Sequence, residues 1–222
     1  MKPFSHQLHR SAHLPEQGIY IFGSQLHAHL TGRKIFSSHY RYGVKIGEIN
    51  RDDHYSPHWQ HIVHLNPYIH VVPGDVISTT CIYETLSRDS VTLLIDVREG
   101  GYGIEDEMCV NYIYYFPVSE VEVCKSAVDN ASLHRHFHNK YDIRQTSLPI
   151  YQKYASVNWN EKNTLLLKEL FAVAPLNINC LKHDGLPFPN HPLNWTGVPQ
   201  PRVRMTPFTK QRDRNECPAL ND

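Results

Sequence analysis

Between Ile19 and Phe116, apolar and polar residues alternate in short runs broken by glycine, proline and aspartate, which is the period of strands rather than helices. Ile19 to Thr31 reads as the first long strand. Tyr20, Phe22, Leu26, Ala28 and Leu30 are expected on its apolar face, and Gln25, His27, His29 and Thr31 on its polar face. Lys34–Arg41 and Val44–Ile49 predict two more strands joined at Tyr42-Gly43, followed by a polar, proline-broken loop over residues 50–60. His61–Val72 and Val76–Tyr83 predict strands on either side of a Pro73-Gly74-Asp75 turn. Val91–Val97 is β-prone, Gly100–Gly103 a flexible turn, and Met108–Phe116 a strand with Met108, Val110, Tyr112, Tyr114 and Phe116 on one face.

Beyond Pro117 the pattern changes. Val128–His138 predicts a short helix, and Asn163–Ala174 an amphipathic one with Leu166, Leu167, Leu170 and Phe171 turned inward. From Gly185 onward the density of prolines predicts an extended tail without regular structure. The expected fold is mostly all-β: an antiparallel β-sandwich or jelly roll with one or two peripheral helices and a Pro-rich C-terminal tail.

Charge narrows the partners. Lysine plus arginine equals aspartate plus glutamate at 22 each, which gives no ground for nucleic acid or an anionic membrane. Sixteen histidines make both charge and any imidazole-bound metal acid-sensitive. No apolar run approaches the ~18 residues of a membrane span, and Met1-Lys2-Pro3-Phe4 opens no signal peptide. Five cysteines leave at least one without a partner inside the chain. The sequons at Asn130 and Asn194 are glycosylation acceptors only in a secreted protein.

Projecting from one face, His27 and His29 can share a metal ion if a third ligand arrives from another strand; taken alone they are two solvated histidines. His6, His9 and His13 in the lead-in, and His54 and His58 beside Asp52 and Asp53, are weaker groups of the same kind. His134, His136 and His138 read as the solvated face of a polar helix. Met108 changes the balance, because a thioether with imidazoles selects copper, particularly Cu(I). Three protein ligands would also leave a position open for dioxygen.

The strings IFGSQLHAHLTGRK, NRDDHYSPHWQ, PGDVISTTC, GGYGIEDEMCVNYIYYFP and EVCKSAVD follow one another in order. Together they resemble the C-terminal catalytic domain of the copper type II, ascorbate-dependent monooxygenases, on the amine β-hydroxylating rather than the peptide-amidating branch. The likeness runs from about Gly18 to Asp129 and weakly on to about Cys180. It implies that His27, His29 and Met108 hold the copper that activates O2, that Cys81 and Cys109 form a disulfide, and that Tyr112 lines the substrate pocket. It also implies ascorbate as the electron donor, hydroxylation at the benzylic carbon of a phenylethylamine (tyramine or dopamine), and a secretory-vesicle or extracellular location. The domains expected are an irregular lead-in over 1–17, the copper domain over 18–183 and the tail over 184–222.

Departures from the family pattern accompany the likeness. The family's second copper is held by three histidines in a preceding domain, and the first 18 residues do not supply it. One copper per chain is therefore expected, with the N-terminal copper domain as a partner, the chain inactive alone and a homo-oligomer left open. Ser5 and His9 stand where family members carry cysteines, so Cys124 and Cys180 are either orphaned or paired with each other, and Cys217 would reach toward the other domain. Residues 93–99 lengthen the connection before the double glycine. These departures suggest a fragment, truncated isoform or imperfect gene model of a secreted enzyme. The competing expectation is a non-catalytic copper- or partner-binding β-sandwich derived from that enzyme.

Overall fold

In the computed structural model, residues 7–8, 14–85, 104, 106–144, 147–188 and 193–195 are described. The strands are β1 (Gln7–Leu8), β2 (Ile19–His27), β3 (Gly32–Arg41), β4 (Val44–Asp52), β5 (Val63–Val71), β6 (Val76–Tyr83), β7 (Val110–Phe116), β8 (Val121–Val128), β9 (Leu176–Lys182) and β10 (Leu193–Trp195). Three helices, α1 (Asn130–Tyr141), α2 (Ile150–Ser156) and α3 (Glu161–Val173), lie between β8 and β9. Every pairing is antiparallel, in sheets ordered β1-β6-β3-β4, β5-β2-β7 and β10-β9-β8, and none of them closes into a barrel. Among the described residues no helix is long and apolar enough to cross a membrane.

The first two sheets face each other as a sandwich. Ile19 and Ile21 of β2, Leu65 and Val71 of β5, Ile49 of β4 and Ile77 of β6 form one core cluster, with Ile113 and Tyr115 of β7 packed against it. At one end a second cluster gathers Leu26, Ala28, Ile35, Tyr55, Tyr83 and the Cys81–Cys109 disulfide. The β3–β4 hairpin turns at Tyr42 and Gly43, whose φ values of 51° and 78° suit the two-residue turn that matches strand twist.

The alternation expected for the first strand holds only past its middle. Ile19 and Ile21 are buried while Tyr20 is 37% exposed, yet farther along Leu26 and Ala28 are the buried pair. The cause is a bulge: Ile21 pairs with Tyr115 and Gly23 with Tyr114, so Phe22 is an extra residue that inverts the parity of everything before it. Tyr20 and Phe22 therefore stand outside the sandwich core, in ring contact with Phe116 and with His70 or Tyr68. The strand also ends at His27 rather than Thr31.

The other end of the chain departs further from expectation. Strands β8 and β9, which the pattern did not announce, pair with Cys124 directly opposite Cys180, and these two close a second disulfide, one of the two outcomes left open for them. Among the described residues helix α2 brings the helices to three, against the one or two expected. Val128, Leu133, Phe137, Val157 and Leu176 form the core of this end. Asp129 caps α1 by accepting from the Ser132 N–H at 2.9 Å, and Asn160 caps α3 likewise from Asn163. The lead-in and the tail each carry regular structure after all, since β1 pairs with β6 and β10 with β9. His6, His9, His13, Val91–Val97, the extra segment 93–99, Gly100–Gly103, Cys217 and most of the tail lie outside the described residues.

Candidate metal centre

Strand β2 delivers His27 as its last residue, opposite Val110 of β7, while Gln25 stands opposite Tyr112. Directly opposed residues share a face, and the His27 and Tyr112 ring centroids are 5.9 Å apart. His29 lies two residues past the strand, its ring centroid 5.3 Å from that of His27 and the two planes at 80°. Between them Ala28 is fully buried. Its N–H donates to the Tyr55 hydroxyl at 2.8 Å, and its carbonyl accepts from the same hydroxyl at 2.5 Å. That clamp continues the strand-like course of the backbone beyond the last ladder bond, so both rings remain on one side.

The protons on the two rings follow from their partners. His29 Nδ1 lies 2.7 Å from the Asp106 carbonyl oxygen, which can only accept. His27 Nδ1 lies 2.5 Å from Gln60 Oε1, and that amide is oriented by its own donation from Nε2 to the Pro57 carbonyl at 2.7 Å. Each Nδ1 is therefore the donor, and in the neutral rings each Nε2 keeps its lone pair. This is the arrangement of a metal-binding histidine whose other nitrogen is fixed by a hydrogen bond.

Met108 precedes β7 by two residues. The two residues before it tie its segment to His29: the Glu107 carboxylate accepts the His29 N–H and the Asp106 carbonyl contacts the His29 ring. Its surroundings are held in three ways. Glu107 accepts from the His29 N–H at 2.9 Å, from the Thr31 N–H at 2.5 Å and from the Thr31 hydroxyl at 2.6 Å. The Tyr83 hydroxyl donates to the Met108 carbonyl at 2.8 Å, and Cys109 is bonded to Cys81. Burial pushes the Tyr55 phenol up to about 12 and the Tyr83 phenol well above its ordinary value, so both remain donors.

Among the described residues no group of three or more His, Cys, Asp or Glu side chains could hold a metal ion. Among the described residues, a third ligand to a metal at His27 and His29 would be of another kind, such as a thioether. Tyr112 is 48% exposed beside His27, on the open face rather than in the core. The other histidine groups do not assemble. His54 and His58 are exposed; Asp52 accepts the His54 backbone N–H, and Asp53 pairs with Lys34 and Arg51. On α1 only His138 is solvated, since His136 is buried against the Tyr141 hydroxyl and His134 accepts from Lys153. Asn130 opens α1, half-buried, and Asn194 lies in β10.

Gln60, Tyr55, Tyr83 and Glu107 escaped the sequence reading as site residues. Each lies within or near a string that carried the family likeness, but nothing local marks any of them as a partner of the histidine pair.

Comparison with known proteins gives a consistent result. The model of the copper type II ascorbate-dependent monooxygenase, C-terminal domain, matches residues 5–137. Tyramine beta-hydroxylase of Caenorhabditis briggsae is 47% identical over 214 residues, covering 94% of this chain and 36% of that protein. Dopamine beta-hydroxylase of Rattus norvegicus is 43% identical over 198 residues, 86% of this chain and 30% of that protein. The Homo sapiens dopamine beta-hydroxylase is 41% identical over 212 residues, 93% and 32% respectively. The chain spans about a third of the length of these relatives.

Proposed function

Because this chain belongs to the copper type II ascorbate-dependent monooxygenases, matching their C-terminal domain, we propose that it is the oxygen-activating half of an amine β-hydroxylase. His27, His29 and Met108 would hold its one copper ion. The observation that carries this reading is the pair of Nδ1 contacts, to Gln60 and to the Asp106 carbonyl, which leave the Nε2 lone pair of each neutral ring for a metal. Two imidazoles and a thioether suit Cu(I) and exclude no exogenous ligand. When bound, copper supplies one-electron redox chemistry and a binding position for O2, with ascorbate as the source of electrons.

The residues themselves would do the rest. Gln60 and the Asp106 carbonyl hold the Nδ1 protons, so both rings present the same nitrogen outward. Tyr112, beside His27 on the exposed face, offers a ring against which the aromatic ring of a phenylethylamine such as tyramine or dopamine can lie. The second, electron-storing copper would come from a three-histidine domain outside these residues. Two disulfides fit an oxidising compartment, so we place the protein in a secretory vesicle or outside the cell, with Asn130 and Asn194 as glycosylation acceptors.

Copper stoichiometry and turnover test this reading. The 222-residue chain should hold one tightly bound copper, and Met108→Ala should weaken Cu(I) binding far more than Cu(II) binding. Hydroxylation of tyramine or dopamine should be negligible until the electron-storing domain is added. Equal Cu(I) affinity in wild type and Met108→Ala removes Met108 from the site. Robust ascorbate-driven turnover by these residues alone refutes the division into two halves.

A further inference from the structure

Glu107 is 1% exposed, one of the largest wholly buried side chains in the protein. Among the described residues its partners are neutral donors, the backbone N–H groups of His29 and Thr31 and the Thr31 hydroxyl. Burying a carboxylate against neutral donors is costly unless its acceptor capacity is used. Here both oxygens are used, Oε2 by His29 and Oε1 by the two Thr31 groups. All three donors belong to the segment that follows β2, and the carboxylate belongs to the segment that precedes β7. The β2–β7 ladder itself ends before these segments, at His27 and Val110.

We propose that Glu107 is a positioning residue for the metal centre, its carboxylate setting the spacing between His29 and the adjoining Met108 by strapping their two backbone segments together. The inference rests on the copper reading above and adds to it which side chain fixes the third ligand. A carboxylate is required rather than an amide. Three donors converge on it, and a glutamine can turn its one oxygen toward Thr31 only by turning its NH2 against the His29 N–H. Glu107→Gln therefore loosens the strap on the His29 side while preserving size.

Three proteins decide the matter: wild type, Glu107→Gln and Met108→Ala, each loaded with Cu(I) alone. Cu(I) affinity is read by competition with a chromophoric chelator, and the ligand set by sulfur scattering at the copper X-ray absorption edge. Glu107→Gln should bind Cu(I) about 10–100-fold more weakly, as expected for loss of a group that orients a ligand, and its copper–sulfur signal should shrink. A general loss of stability would not change the ligand set of the folded fraction, so the scattering isolates positioning. If Glu107→Gln does not fold, Thr31→Val removes one of the three donors and should lower the affinity at least threefold with a weaker sulfur signal. Full affinity and a full sulfur signal in whichever of these folds overturns the inference. A wild-type chain without copper–sulfur scattering overturns the copper reading and this inference with it. A wild-type signal lost in Met108→Ala but kept in Glu107→Gln overturns this inference alone.

Discussion

Replacing Tyr55 by phenylalanine removes one oxygen atom and leaves the ring in the core cluster beneath His27 and His29. That oxygen is the partner of both the Ala28 N–H and the Ala28 carbonyl, at 2.8 and 2.5 Å, and Ala28 is 0% exposed. In the variant two buried peptide groups lose their partner together. Each such group costs about 1–3 kcal/mol, and the deleted hydroxyl's own desolvation is recovered, so the expected net loss is about 2–4 kcal/mol. For a domain of this size the same loss is about 5–15 °C in Tm. Urea unfolding of the copper-free protein with its disulfides intact, followed by circular dichroism, would show a lower midpoint at unchanged slope. Ala28 also joins the two histidines, so Cu(I) affinity should fall by about tenfold in parallel. A Tyr55→Phe protein within about 0.5 kcal/mol of wild type would refute the reasoning, because the Ala28 peptide would then be held by something other than this hydroxyl.

The two disulfides should separate by function. Replacing Cys81 and Cys109 together by alanine opens a loop of 28 residues, worth about 3–4 kcal/mol in the chain-entropy model, and should also weaken Cu(I) binding; the same change at Cys124 and Cys180, 56 residues apart, should cost about 4 kcal/mol in chemical denaturation and spare the copper. Acid should destabilise the copper-free protein in two steps. Burial lowers the His39 imidazole despite the Asp75 carboxylate beside it; burial would raise the Asp75 carboxyl, but the Arg41 fork, the Val72 N–H and His39 hold it below its ordinary value. Both groups bind protons less readily folded than unfolded, so stability falls as pH drops through about 6.5 and again below about 4; His39→Gln should shrink the first step in Tm measured across that range, the remainder coming from His134 and His136, which burial also lowers. Gly18→Ala should cost about 2 kcal/mol or more, because Gly18 has φ +81° and a Cβ there would meet the Val71 carbonyl oxygen at 2.3 Å; Gly74→Ala, at φ +95° with open space around it, should cost about 1 kcal/mol in the same assay.

Legibility followed the range of the interactions. The β3–β4 hairpin and the β5–β6 turn were plain because Tyr42-Gly43 and Pro73-Gly74 punctuate the chain locally. The parity of β2 was not, since a bulge at Phe22 is an event in pairing and the lone nearby glycine does not announce it. Strands β8 and β9 pair across a gap that contains three helices, and α2 is a seven-residue helix behind Pro149 with no side-chain cap, too short for periodicity to show. At the candidate metal centre, alternation grouped His27 with His29 and Tyr112 with Met108, but that His27 and Tyr112 share a face is a matter of strand pairing. The groups that orient the ligands were hidden for a different reason. Gln60 lies 33 residues from His27, Tyr55 27 from Ala28, Tyr83 25 from Met108 and Glu107 78 from His29, and common residue types at such separations carry no pattern.

The position of the candidate ligands at the frayed ends of β2 and β7 has a physical consequence. Inside a sheet the ladder fixes the backbone, and a side chain's direction follows from register alone. Past His27 and before Val110 the β2–β7 ladder has ended, and side chains hold backbone groups there: Ala28 by Tyr55, His29 and Thr31 by Glu107, and the Met108 carbonyl by Tyr83. Tyr55, Tyr83 and the Cys81–Cys109 bridge all belong to one buried cluster. The backbone segments that carry His27, His29 and Met108 are thus tied to the sandwich core. Substitutions that never touch a metal should therefore alter how it is held, and an equal loss of packing in the cluster around Ile19, Ile21 and Val71, at the other part of the same sandwich, should lower stability while leaving copper affinity in place.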